Sequence, residues 1–106
     1  MVKLQKMFEE LRIAIKSKNV ALMQFTSEKI IEECEEFLMD MGNNNVVSED
    51  LRRIIYTSAI IRDYSRSLIG KSLASFNYDR MFDLLERMQT YDQRVKKSLE
   101  RELGRT

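Results

Sequence analysis

Four carboxylates on one predicted helix are the first residues whose type and spacing could do chemistry. Glu28, Glu32, Glu36 and Asp40 recur every four residues, with Glu33 and Glu35 beside them. On an α-helix that spacing stacks them along one side. The ladder makes Glu28, Glu32, Glu36 and Asp40 candidates for a hard cation or for docking a basic partner. Met by Lys29, or by arginines of the next helix, it is instead a solvated face, which is the preferred reading. The matching cations are Arg52, Arg53, Arg62 and Arg66. Arg62 and Arg66 share a face, Asp63 is within reach of Arg66, and Glu49 can pair with Arg52 or Arg53. Forked guanidiniums suit a phosphate or an acidic helix. No Gly-rich phosphate loop accompanies them, so surface pairing is again preferred.

Seven methionines are many for 106 residues. Met23, Met41, Met81 and Met88 read as core filler. Met7 and Met39 could line a groove for a partner helix. The candidate partner-binding residues are therefore Arg52, Arg62, Arg66, Met7 and Met39. Cys34 shares an apolar stripe with Ile30 and Phe37 and reads as an inert buried thiol.

The absences narrow the chemistry further. The sequence contains no histidine and a single cysteine. Imidazole bases, Ser-His-Asp and Cys-His triads, and His- or thiolate-caged zinc are thus excluded. Eighteen basic and seventeen acidic residues leave a net charge of +1. That balance argues against a dedicated nucleic-acid binder. No apolar run approaches the ~18 residues of a membrane span, and the start goes directly into charged periodic sequence without a signal peptide. The expectation is a cytoplasmic, non-enzymatic protein with no cofactor.

The elements that must position these residues follow from apolar spacing. Leu4, Phe8, Leu11 and Ile15 predict a helix over residues 2–16. Met23, Ser27, Ile30, Cys34, Phe37 and Met41 predict a second over 20–41, with Asn19 as N-cap. Gly42 to Asn45 is the clearest break. Ser48 then reads as the cap of a third helix over 49–73, with Leu51, Ile54, Ser58, Ile61, Ser65, Leu68 and Ser72 inward. Met81, Leu84, Met88, Tyr91, Val95 and Leu99 predict a fourth over 78–103, capped by Asn77 or Ser75. Asp83–Arg87, Asp92–Lys96 and Lys96–Glu100 would decorate its outer face. The expected fold is all-α, a single antiparallel bundle of three to four helices spanning residues 1–106.

The stretch from Val46 through Ser48-Glu49-Asp50-Leu51-Arg52-Arg53-Ile54-Ile55 to Ile60-Ile61-Arg62-Asp63-Tyr64-Ser65-Arg66 resembles the third helix of PhoU domains. Residues 1–75 would be one three-helix unit, with the fourth helix standing where a second unit begins. Where the family carries metal-binding carboxylates, this chain has Ser65 and Ile69, or Ser67 and Lys71 in the shifted register. The resemblance therefore implies a scaffold or partner-binding role without the metal, in phosphate-linked regulation. Wide apolar faces and half the usual length suggest a homodimer. The alternative is a helical adaptor or phage-type accessory protein, unrelated to PhoU, that holds a larger protein.

Overall fold

A computed structural model describes residues 2–41 and 45–104; the side chains of Val2, Asn45 and Leu103 are outside the description. Four helices account for nearly all of it: α1 (Val2–Lys16), α2 (Val20–Met41), α3 (Asn45–Leu68) and α4 (Tyr78–Gly104). No strand occurs among the described residues. Each helix packs on two neighbours, in the cyclic order α1, α2, α3, α4 and back to α1, and among the described residues the backbones of diagonal helices do not approach each other closely. The body is a long bundle, 54 × 21 × 17 Å. α4 folds back on α3 and α1 of its own chain.

The inward stripes are the apolar positions spaced three and four apart, because that period keeps one side of a helix facing its neighbours. Leu4, Phe8, Leu11 and Ile15 of α1 are sealed from solvent, as are Met23, Ser27, Ile30 and Cys34 of α2. Leu51, Ile54, Ser58, Ile61 and Ser65 of α3 are equally buried. The small residues on α3 find partners within the core: Ser65 Oγ donates to the Ile61 carbonyl at 2.7 Å, and Ser58 Oγ to the Met88 sulfur of α4 at 3.0 Å. Met23, Met81 and Met88 are core filler, as expected; Met41 is only half-buried.

Two links lie at one end of the bundle. α1 ends in a left-handed residue, Lys18 (φ 52°). Asn19 N–H donates back to the Ala14 carbonyl and Lys18 N–H to that of Ile15, the paired closure of a Schellman turn. Asn19 then caps α2 by accepting from Leu22 N–H at 3.1 Å. Asn77 does the same for α4, accepting from Arg80 N–H at 3.1 Å, so Asn77 rather than Ser75 is the cap. Phe76 is held edge-on between Tyr64 (5.8 Å) and Tyr78 (5.0 Å). Tyr64 Oη accepts from Asn77 N–H at 2.9 Å, and Lys18 Nζ lies 5.3 Å over the Tyr78 ring. The aromatic edges close the turn of the α3–α4 hairpin, and the cation ties that turn to the one between α1 and α2.

Both ends of α3 depart from the sequence expectation. Ser48 is not a cap; it lies inside the helix, which begins at Asn45. Val47 is fully buried, and its packing recruits the preceding turn. α3 stops at Leu68, not Leu73, because Gly70 adopts φ +77° and Lys71 N–H closes on the Leu68 carbonyl. Ser72 accordingly lies exposed in the link. Most of the Gly42–Asn45 break falls outside the described residues.

Candidate functional site

Along the outer seam of α3 and α4 the core stripes give way to a groove. On α4 the seam positions Leu84, Arg87, Tyr91, Arg94, Ser98 and Arg101 are three and four residues apart, so they form a row parallel to the core stripe. Opposite them on α3 run Val46, Glu49, Arg53, Tyr56 and Ile60. Two adjacent depressions, of about 420 and 300 Å³, share Glu49 and Arg53 and follow one another along the seam. Val46 to Ile60 spans about 21 Å at 1.5 Å per residue.

The groove is cationic at its rim, and its floor is apolar at the end lined by Ile60 and Leu84. Arg53 donates to Glu49 at 2.7 Å and to Asp50 at 2.9 Å. Arg94 pairs with the same Asp50 at 3.5 Å, so one nearly buried carboxylate organises two arginines. Both guanidiniums also lie 5.9 Å from the Tyr91 ring. Arg87 is held by Asp83 at 3.2 Å. Arg52, Lys97 and Arg101 make no ion pair among the described residues. Tyr56 is 71% exposed and Val46 63%. Exposed tyrosine and arginine over an apolar floor is the composition that supplies binding energy at protein interfaces.

The candidates named from sequence are only partly brought together. Arg52 lines the groove. Arg62 and Arg66 lie off it: Arg62 Nε donates to Asp63 at 3.0 Å, and Arg66 reaches across to Glu28 at 3.0 Å. Asp63 therefore pairs with Arg62 rather than Arg66, and Glu49 with Arg53 rather than Arg52. Met7 is half-buried against the core and Met39 is 85% exposed on α2; neither lines the groove. Glu28 is thus met by an arginine of α3 and Lys29 by Glu10 at 3.4 Å, while Glu32, Glu36 and Asp40 stay exposed. No group of three or more metal-ligating side chains converges among the described residues. Ser65 is buried, whereas Ile69, Ser67 and Lys71 are exposed. Among the described residues no helix is long and apolar enough to cross a membrane.

Asp92 corrects a further expectation. It does not decorate the outer face; it is 2% exposed, inside the seam between α1 and α4. There it floors a second cleft of about 530 Å³ beside Gln5, Phe8 and Gln89, and Arg12 crosses the seam to Gln89 at 3.2 Å. Burial raises the Asp92 carboxyl above its ordinary pKa, with Lys96 acting against the shift. Cys34 is pushed up to about 12, first by burial and then by the charge of Asp92. Its thiol therefore stays protonated and unreactive at neutral pH, in keeping with an inert role.

Tyr56, Arg87, Tyr91, Arg94 and Lys97 were missed as site residues. For Arg87, Tyr91 and Arg94 the signal was the second row of three-and-four spacing on α4, one step around the helix from its core stripe. No protein-family model, curated protein or solved structure matches the chain.

Proposed function

We propose that this is a non-enzymatic helical protein that works through protein–protein contacts, and that the α3/α4 groove is its principal contact surface. One observation carries the reading. Tyr56, Tyr91 and a row of arginines line a groove about 21 Å long, apolar at its Ile60 and Leu84 end, on a bundle whose helical stripes are otherwise buried within the chain. Pre-ordered arginines suit it, because Arg53 and Arg94 are already oriented by Asp50 and lose less freedom on binding. The resemblance to PhoU domains supports phosphate-linked regulation as the setting and a cytoplasmic location. An adaptor unrelated to that family is the second reading, supported by the same groove. Homodimerisation, also suggested by the sequence, would have to use surface other than the four core stripes, since these are covered within one chain.

A photo-crosslinker placed at Tyr56 tests the proposal in cells. Capture of a phosphate-transport or phosphate-signalling component, lost in Arg52→Glu, is the expected outcome. Groove-dependent capture of an unconnected protein favours the adaptor. Crosslinks that Arg52→Glu leaves unchanged overturn the groove as the contact surface.

A further inference from the structure

Charge is unevenly shared among the helices. α2 carries six carboxylates against the single Lys29, although the whole chain is nearly neutral. Its outward ridge runs through Phe25, Glu28, Glu32, Glu36 and Met39. Phe25 is 58% exposed and Met39 85%. These two apolar knobs stand fourteen residues apart, about 21 Å along the helix. Between them lie Glu32 and Glu36, which make no ion pair among the described residues.

The α3/α4 groove has the reciprocal pattern over the same length. It has an apolar patch at Tyr56, Ile60 and Leu84, exposed Val46 towards the other end, and cations between and around them. Among the described residues, four of the six large hydrophobic side chains left exposed fall on these two surfaces: Phe25 and Met39 on the ridge, Val46 and Tyr56 in the groove. Length, charge sign and the placement of apolar anchors agree.

We infer that the α2 ridge of one copy of this chain seats in the α3/α4 groove of another. The inference rests on the groove being a contact surface, and it names the occupant. α2 lies outside the α3/α4 seam in the cyclic order of the bundle, so the ridge and the groove of one molecule do not meet each other. Because the two surfaces differ, the contact is head-to-tail and repeats from copy to copy, in a row or a closed ring. A nucleic-acid backbone fits the groove less well, because its phosphates offer no apolar knob to the patch at Tyr56, Ile60 and Leu84.

The test is light scattering and sedimentation of the full chain with two charge-swapped variants, Arg52→Glu/Lys97→Glu in the groove and Glu32→Lys/Glu36→Lys on the ridge. All four positions are exposed and free of ion pairs among the described residues, so circular dichroism is expected to show both variants folded. The wild type should form species larger than one chain, and association should weaken as salt rises from about 0.05 M to about 0.5 M. Each variant alone should associate at least about tenfold more weakly, and a one-to-one mixture should regain association through the swapped charges. A wild type that stays monomeric up to about 1 mM overturns the inference. So do variants that associate as the wild type does, or a mixture that fails to recover. A monomeric wild type whose groove still crosslinks another protein at Tyr56 would sink only the self-contact. Loss of both would sink the groove as well.

Discussion

The two flanks of α3 behave differently. Towards α2 the helix closes: Ile61 and Ser65 are sealed, and Arg66 locks the outer edge onto Glu28. Towards α4, from Tyr56 to Val46, it stays ajar, and long cationic and aromatic side chains occupy the opening. One helix thus carries a neutral flank that holds the fold together and a charged flank left available for contact. The difference lies in side-chain size: serine allows backbones to approach, whereas arginine and tyrosine reach outwards and leave a channel beneath them.

That contrast predicts unequal sensitivity. Ile61→Ala, on the closed flank, should cost about 3 kcal/mol in urea unfolding; a cost below about 1 kcal/mol would mean the flank is not tightly packed. Asn77→Ala removes the α4 cap and should cost about 1 kcal/mol. Asp92→Asn sharpens the comparison through pH. The folded-state pKa of Asp92 is raised, so the fold keeps its proton where the unfolded chain has released it. The stability it contributes is present below the ordinary carboxylate pKa and is lost as pH rises through the raised value. The wild type should therefore lose stability relative to Asp92→Asn as pH climbs from that ordinary value; parallel profiles would refute the shift. Arg52→Ala, on the open flank, should alter stability by no more than about 0.5 kcal/mol, even if association changes.

Much of the fold was legible because burial imposes a period. The stripes of α1 and α2 are where three-and-four spacing puts them, and Asn19 and Asn77 cap because a short amide side chain can reach free backbone N–H groups. The start of α3 was misread because Ser48-Glu49-Asp50 imitates a cap, while the burial of Val47 decides the matter from elsewhere in the molecule. Asp92 was misplaced by weighing its i+4 partner Lys96, although it stands between Met88 and Val95 on the buried stripe. Arg52 was found, but the groove needs the register of α4 against α3. That register depends on contacts such as Arg94 with Asp50, forty-four positions apart, which no local pattern in either helix records.

The clasp of Phe76, Tyr64, Tyr78 and Lys18 also determines how the bundle comes apart. Joining both hairpins at one pole makes that pole the last to loosen, so local opening should begin at the opposite extremity. Amide hydrogens near Asn77 and Met81 should then outlast those near Val46 and Ser98 in deuterium exchange. The mouth of the groove nearest Val46 is thereby the part of the molecule best able to breathe and adjust to whatever settles on it.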